Sequence, residues 1–201
     1  MSDRPRVVAV VLAAGSSSRM GRNKLLLELG GETLVRRAVR SAAAAGVDEV
    51  VVVLGHEEPR VRAELAGLAC TPVVNPDHAE GAGTSVRTGV RHLAGGAEAV
   101  VVVLADMPFV TAEMIAALVE RYRETRPPLV ASHYGDVQAP PTLYDRALFD
   151  ELLRIPGERC AKEVVRRHEQ EAVVVRWPES ALRDIDVPAD YENARAELAA
   201  K

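Results

Sequence analysis

Three cationic side chains follow a stretch of small residues near the beginning of the chain. Arg19, Arg22 and Lys24 lie within six residues, directly after Gly15 and the serines at 16–18. Small residues let a ligand approach the backbone closely, while serine hydroxyls and backbone amides donate hydrogen bonds to phosphate oxygens. The three cations would offset much of the negative charge of a triphosphate. The segment therefore predicts a phosphate-binding loop, with a solvated glycine- and serine-rich turn as the alternative.

This loop departs from two familiar nucleotide-binding motifs. A P-loop requires GxxxxGK[ST], but five residues lie between Gly15 and Gly21, and Arg22 and Asn23 follow. A dinucleotide-binding turn requires GxGxxG, and Ser17 occupies the position of the second glycine. These departures disfavour a kinase, an ATPase or a dehydrogenase.

An aspartate follows a second conspicuous stretch of the chain. Asp106 comes directly after the valine-rich run at 100–104. A carboxylate at the end of a buried strand must be paired, hydrogen-bonded or bound to a metal, because an isolated buried charge is costly. Mg²⁺ takes one or two carboxylates together with phosphate oxygens and water. Asp106 is therefore a candidate Mg²⁺ ligand, and a turn-forming aspartate before Pro108 is the alternative.

The elements that must position these residues alternate in period. Apolar, valine-rich runs at 7–12, 50–54 and 100–104 are typical of strands covered on both faces. Segments with helical spacing at 34–45, 57–65 and 85–93 lie between them. This alternation predicts βαβ units and a mostly parallel sheet. In such sheets ligands bind beyond the carboxyl ends of the strands, which is where the phosphate loop and Asp106 fall.

The second half of the sequence is less regular. Thr111 can cap a helix that runs to about residue 123, and extended structure resumes at 129–132. Further elements are predicted as helices at 146–154 and 160–168, a strand at 172–176 and a final helix after Pro188. We expect residues 1–201 to form one domain, with a nucleotide-binding part at about 1–110 and an acceptor-binding part at about 111–201.

Composition excludes several classes of protein. The 201 residues are 48% hydrophobic and only 3% aromatic, with a net charge of -4, so neither a nucleic-acid backbone nor stacked bases are expected partners. Cys70 and Cys160 are too few for a disulfide scaffold and lack zinc-site spacing. No run approaches the roughly 20 apolar residues of a membrane span. The apolar run at 7–14 is short and β-branched for a signal peptide, so we expect a cytoplasmic protein.

The phosphate loop, LAAGSSSRMGRNK at 12–24, resembles the LAAGxSxRMGxxK signature of nucleotidyltransferases with a GT-A-like fold. The chain is similar, nearly from end to end, to the molybdenum cofactor cytidylyltransferases. The resemblance implies a three-layer α/β/α Rossmann-like fold with a mostly parallel central sheet. It implies that Arg19 and Lys24 hold the triphosphate, and that Ala14, where guanylyltransferase relatives tend to have glycine, favours CTP. Nucleotide binding in this loop is thereby assigned to Leu12, Ala13, Ala14, Gly15, Ser16, Ser17, Arg19, Met20, Gly21 and Lys24.

Two later motifs of the same family are also present. The segment NPDHAEGAGTSV at 75–86 resembles a loop that closes over the base and sugar, which makes Asn75, Gly81 and Ser85 candidates for nucleotide binding. Ser85 could instead cap the following helix. The resemblance makes Asp106 a metal ligand and, with Arg19 and Lys24, a catalytic residue.

The second metal ligand implied by the resemblance comes from the end of the chain. The segment DIDVPADY at 184–191 resembles the family's DIDTPEDY, and it makes Asp186 the partner of Asp106. Valine at 187 replaces the threonine that normally caps the next helix, which leaves Asp186 itself as a possible cap.

The acceptor side departs further from the family pattern. Residues 138–144 read QAPPTLY where relatives often have GHPVLF, so Pro140 stands at the histidine position of the loop expected to line the acceptor pocket. The turn GERCAK at 157–162 resembles the family's GDRGAR, with Cys160 where glycine is common. Arg159 or Lys162 could reach an acceptor phosphate, or both could lie on a solvated helix face.

The resemblance implies a reaction in which CMP passes from CTP to a molybdopterin-type acceptor and pyrophosphate leaves. Mg²⁺, or Mn²⁺ in its place, is the implied cofactor, and a molybdenum hydroxylase that receives the product is an implied partner. The alternatives are GTP with a molybdopterin, CTP with a sugar or polyol phosphate, and a carrier of molybdenum cofactor without catalytic activity. No Ser/His/Asp nucleophile is required, because such catalysis depends on positioning and charge stabilisation.

Overall fold

The computed structural model describes residues 4–93, 96–158 and 161–199. The predictions for Arg159 and Cys160 therefore lie outside the described residues. In this part of the chain no helix is long and apolar enough to cross a membrane. The strands are β1 (Val7–Ala13), β2 (Glu28–Leu29), β3 (Glu32–Thr33), β4 (Glu49–Leu54), β5 (Thr71–Val74), β6 (Ala99–Leu104), β7 (Leu129–Tyr134), β8 (Val137–Asp145) and β9 (Val173–Trp177). The α-helices are α1 (Leu34–Ala44), α2 (Glu58–Glu64), α3 (Ala82–His92), α4 (Ala112–Thr125), α5 (Phe149–Leu153), α6 (Lys162–Arg167) and α7 (Pro188–Ala199).

Seven strands form the central sheet in the order β5-β4-β1-β6-β8-β7-β9. Strands β5, β4, β1 and β6 pair in parallel, as do β7 and β9, while β8 is antiparallel to both of its neighbours. The prediction of an α/β fold with a mostly parallel central sheet is confirmed. The three valine-rich runs are β1, β4 and β6, so the carboxyl ends of β1 and β6 bring the phosphate loop and Asp106 to one edge of the sheet.

Both faces of the central strands are buried, which explains their valine-rich sequences. Val8 and Val10 of β1 belong to one apolar cluster, while Val7, Ala9 and Val11 belong to another. Successive strand residues point to opposite faces, so each cluster takes every second residue. Helices therefore cover the sheet on both sides, and the strand ends at the site are held rigidly.

Strand β8 corrects the sequence analysis. Residues 138–144 were expected to be a loop at the acceptor pocket, but they lie within a strand of nine residues. Thr142 pairs with Ala131 and Gln138 with His133, with a shift of register between these two pairs. The two prolines at 140 and 141 fall in this irregularity, where ladder hydrogen bonds are not needed. A Pro-Pro pair argues against a strand, which is why sequence periodicity missed β8.

Candidate active site

The phosphate loop leaves β1 and folds into a short 3₁₀ turn at Ser18–Met20. Ser17 before this turn has a left-handed φ of 53°, and Gly21 after it has a φ of 67°. The Ser17 hydroxyl accepts a hydrogen bond of 3.1 Å from the Lys24 backbone amide, which closes the loop. Met20 is buried against Leu29, so its side chain anchors the loop to the core. Gly15, Ser16, Arg19 and Gly21 are exposed at the rim.

Two carboxylates and two cations meet beside this loop. Lys24 Nζ lies 2.6 Å from Asp106 Oδ2 and 2.8 Å from Asp186 Oδ1. An Arg19 guanidinium nitrogen lies 2.5 Å from Asp186 Oδ2. The structure therefore brings together all four charged residues that the sequence analysis singled out as catalytic or metal-binding. Within the described residues Arg22 forms no ion pair and remains exposed, so only two of the loop's three cations join the cluster.

The charge states of the cluster follow from these contacts. Burial lowers the pKa of Lys24, but the carboxylates of Asp106 and Asp186 outweigh burial and hold that pKa above its ordinary value. The hydrogen bond from Lys24, together with the positive charges of Lys24 and Arg19, holds the pKa of Asp186 below its ordinary value. Lys24 is therefore protonated and Asp186 ionised throughout the neutral range.

Backbone contacts place Asp186 opposite Asp106. The Ile185 amide donates a hydrogen bond of 3.0 Å to the Asp106 carbonyl oxygen, and the Ile185 side chain is buried in the cluster that holds Met20. Asp190 Oδ2 accepts hydrogen bonds from the amides of Asp186 and Val187, at 2.9 and 2.8 Å. Asp190 thus satisfies the amides before α7, as the acidic residue of a capping box does. The alternative of Asp186 as the cap is wrong, because its side chain binds Lys24 and Arg19.

Beside the cluster, the residues expected to read the base form a close backbone contact. The carbonyl oxygen of Ala14 accepts a hydrogen bond of 3.2 Å from the His56 amide, which follows β4. A Cβ atom at Gly55 would lie 2.6 Å from the His78 Cβ and 2.8 Å from the Ala14 Cβ. Only glycine fits there, because the segment at 75–81 and the LAAG loop both pack against Gly55. Ala13 and Ala14 are buried in this contact, and Leu12 is half-buried.

Asn75 and Ser85 are joined to each other. Asn75 is 1% exposed, and its side-chain amide donates to Thr84 Oγ1 at 2.8 Å and to Ser85 Oγ at 3.0 Å. Helix α3 begins at Ala82, so Ser85 lies in its first turn and is not the cap. These hydrogen bonds connect the segment at 75–81 to α3, a structural role that the sequence analysis did not foresee.

Gly81 packs against the turn at Gly157, which precedes α6. Its φ is +115°, and a Cβ atom there would lie 2.4 Å from the Gly157 carbonyl oxygen. That same oxygen accepts a hydrogen bond of 3.0 Å from the Gly83 amide. The backbone at residues 81–83 therefore contacts the backbone of the turn that leads to α6.

A family model described as the MobA-like NTP transferase domain matches residues 9–173. The chain belongs to this family. This MobA-like NTP transferase is therefore a nucleotidyltransferase, and the resemblance noted in the phosphate loop is confirmed.

Relatives of this MobA-like NTP transferase cover most of the chain. The purine catabolism protein PucB of Bacillus subtilis is 30% identical over 95% of this chain and 97% of its own length. The bifunctional protein GlmU of Sorangium cellulosum is 32% identical over 78% of this chain, which spans only 34% of GlmU. A crystal structure of Rv0371c from Mycobacterium tuberculosis in complex with manganese has a TM-score of 0.80 and 25% identity, covering 95% of this chain and 98% of the other.

The charged cluster offers only two carboxylates to a metal ion, so it fits a cation that takes most of its ligands from substrate and water. Among residues 4–93, 96–158 and 161–199, no group of three or more His, Cys, Asp or Glu side chains could hold a metal ion. Asp106 and Asp186 supply two carboxylates that already share one ammonium group. Two carboxylates suit Mg²⁺, which draws its remaining ligands from substrate phosphates and water.

Proposed function

We propose that this MobA-like NTP transferase transfers CMP from CTP to the phosphate of a molybdopterin-type acceptor. The observation that carries the proposal is the cluster in which Asp106 and Asp186 meet Lys24 and Arg19 beside the LAAG backbone. A carrier without catalytic activity would have no use for paired carboxylates and cations next to a nucleotide loop. The cluster is the arrangement expected where negative charge accumulates during phosphoryl-type transfer.

The proposed reaction is an in-line displacement. A phosphate oxygen of the acceptor attacks the α-phosphorus of CTP, and the bond from this phosphorus to the bridging oxygen of the β-phosphate breaks. The products are pyrophosphate and a dinucleotide in which CMP is joined to the acceptor through a new pyrophosphate bond. Catalysis then depends on holding the two reactants in line and on stabilising the charge that moves to the leaving group.

Each residue of the cluster has a place in this proposal. Arg19 is exposed at the rim, where it can bind the β- and γ-phosphates, and Lys24 approaches them from below once substrate draws it from the carboxylates. Asp106 and Asp186 would hold Mg²⁺, or Mn²⁺ as in the related Rv0371c structure. When bound, such an ion neutralises charge on the reacting phosphates.

The choice of CTP rests on the base side. Ala14 is buried against Gly55, and its carbonyl oxygen is engaged by the His56 amide. The choice of CTP is supported by the resemblance of the LAAG sequence, because guanylyltransferase relatives tend to have glycine where Ala14 stands. In this proposal the enzyme works in the cytoplasm, residues 1–110 bind nucleotide and 111–201 bind the acceptor. The product passes to a molybdenum hydroxylase.

A pyrophosphate-release screen tests the proposal. Four NTPs are each combined with Mg²⁺ and with molybdopterin, a sugar phosphate or a polyol phosphate. We expect release with CTP and molybdopterin, and we expect Asp106→Ala and Lys24→Ala to lower its rate by about 10²-fold or more. Asp184→Ala is the matched control, because Asp184 lies two residues from Asp186 and forms no ion pair within the described residues. Near wild-type turnover in Asp106→Ala and Lys24→Ala, with folding intact, would exclude the proposed site.

A further inference from the structure

A small apolar cavity lies between the phosphate loop and β8. Its volume is about 190 Å³. Leu12 and Leu104 form its wall on the side of the site, and the Ala105 amide donates a hydrogen bond of 3.2 Å to the Leu12 carbonyl oxygen. The cavity therefore borders both the loop after β1 and the strand end that carries Asp106. The lining that the argument uses comes from β8 and the start of α6, and it consists of Gln138, Pro140, Thr142, Tyr144, Ala161 and Lys162.

Apart from Lys162 at its edge, the polar side chains of this wall are hydrogen-bonded within the protein. Gln138 Nε2 donates to Thr142 Oγ1 at 3.3 Å, and the Tyr144 hydroxyl donates to the Ala161 carbonyl oxygen at 3.5 Å. A hydrogen-bonding group of a ligand would lose its water here and find few partners, which is unfavourable. An apolar cavity of about 150 Å³ holds one benzene molecule. The cavity thus suits an apolar group about the size of one ring.

A charged groove adjoins the cavity along the same face of the sheet. It has a volume of about 560 Å³ and shares Gln138 and Lys162 with the apolar cavity. Within the described residues, Lys162 and Arg166 of α6 form no ion pair, so both cations are available to a ligand. The groove carries charges of both signs, from Asp136, Lys162, Arg166, Glu169 and Arg176. It suits a group with several hydrogen-bond donors and acceptors.

We propose that the apolar cavity and the charged groove form one two-part acceptor site. The site takes a phosphomonoester with a ring-sized, weakly polar group next to its phosphate and a strongly hydrogen-bonding group beyond it. This inference rests on the proposed function, because the reacting phosphate must lie at Asp106. A molybdopterin-type acceptor fits in one orientation, with its phosphate end at the carboxylates and its pterin edge in the groove against Arg166.

The replacement of histidine by Pro140 acquires a reason in this arrangement. A proline at this position removes a hydrogen-bonding side chain from the cavity wall. The Pro140 carbonyl oxygen accepts a hydrogen bond of 2.8 Å from the Tyr134 hydroxyl, so it does not need a ligand as its partner. The specificity of the acceptor therefore depends on shape and apolar contact near the phosphate, and on hydrogen bonds only in the groove.

Calorimetric titration in magnesium buffer tests the cavity. We expect benzyl phosphate, which carries one apolar ring, to bind at least about tenfold more tightly than glycerol phosphate, which carries none. Ala161→Leu fills the cavity from the start of α6 and should abolish this preference, whereas Ala161→Ser leaves its volume almost unchanged and should retain most of it. Equal binding of the two phosphates by the wild type would overturn the apolar part of the site.

Fluorescence titration with neopterin, a pterin without the molybdopterin dithiolene, tests the groove. Arg166→Gln should weaken neopterin binding by about tenfold, because a hydrogen bond to a charged group is lost, and it should leave CTP affinity unchanged. Arg167→Gln is the control, since Arg167 lies next in α6 but pairs with Glu151 at 2.7 Å. The proposal that the groove binds the pterin would be wrong if neopterin did not bind, or if Arg166→Gln bound it as tightly as the wild type. If pyrophosphate is released from CTP with none of the acceptors, the proposed function fails. The two titrations measure binding without turnover, so they still decide whether the two-part site exists.

Discussion

The two sides of the candidate site hold their polar groups in different ways. Beyond β1 and β6, the charged side chains of Arg19, Lys24, Asp106 and Asp186 are paired with one another within 2.5 to 2.8 Å. Around β8 and α6, the wall nearest the site is apolar, and Lys162 and Arg166 make no ion pair in the described part of the chain. In the proposed assignment, the comparison teaches that the nucleotide side is organised for charge chemistry, while the acceptor side is organised for recognition.

The largest expected effect comes from a member of the paired cluster. Asp186→Asn should lower the rate of pyrophosphate release by about 10²-fold, because Lys24 and Arg19 lose a shared anion and the proposed metal loses a ligand. Steady-state kinetics with CTP varied would show the loss mainly in kcat. If kcat is unchanged, the charged side of the comparison does not take part in the chemistry.

A second variant tests whether the nucleotide side depends on a close backbone contact. Gly55→Ala places a methyl group against His78 and Ala14, so the free energy of unfolding should fall by about 1–3 kcal/mol. The KM for CTP should rise, while the KM for the acceptor stays the same. Chemical denaturation and two-substrate kinetics measure the two effects. A rise in the acceptor KM alone would reverse the assignment of the two sides.

A third variant weakens the framework of the acceptor side. The Tyr122 hydroxyl of α4 donates to Asp145 Oδ2 at the end of β8, at 2.6 Å. Burial, aided by this hydrogen bond, raises the pKa of Tyr122 to about 12. Tyr122→Phe should lower the free energy of unfolding by about 1–2 kcal/mol. Urea denaturation measures it, and unchanged stability would show that β8 does not rely on this contact.

The smallest expected effect is a pH dependence of the free energy of unfolding, which comes from His168 at the end of α6. The hydrogen bond to Glu151, helped by Glu171, raises the pKa of His168 above its ordinary value. A raised folded-state pKa stabilises the protein below the unfolded-state pKa of about 6.5, and this stabilisation is lost as pH rises through the folded value. His168→Gln should therefore cost up to about 1 kcal/mol at pH 5.5 and almost nothing at pH 9. Unfolding curves at both pH values check this sign, and an equal cost at both would contradict it.

Sequence periodicity was sufficient for the parallel part of the fold. The runs at 7–12, 50–54 and 100–104 became β1, β4 and β6, and Thr111 caps α4 as expected, its side chain accepting from the Met114 amide at 3.4 Å. These elements are specified locally, by valine content and by a capping residue. Strand β8 was missed because its irregular middle contains two prolines, and strands β2 and β3 have only two residues each.

The sequence motifs identified the residues of the candidate site one by one, but they did not predict the ion pairs between them. Motif spacing identified Lys24 and Asp186 separately, whereas the ion pair between them joins residues 162 positions apart. Nothing in either motif shows that Lys24 binds carboxylates before it meets a phosphate. The Asp190 cap had a visible signal, since an acidic residue in the first turn of a helix is a common partner for the preceding amides.

The anchoring of Ile185 has a consequence for the biogenesis of the enzyme. Strands β1 and β6 can pair once the first 110 residues have left the ribosome, but Asp186 reaches Asp106 only when the last segment docks through Ile185 against Met20. A nascent chain of that length therefore carries the loop after β1 but lacks Asp186 of the proposed catalytic centre. We expect chains that stop before residue 184 to retain the central sheet and to lack transferase activity, so turnover begins only after the segment that contains Ile185 and Asp186 has docked.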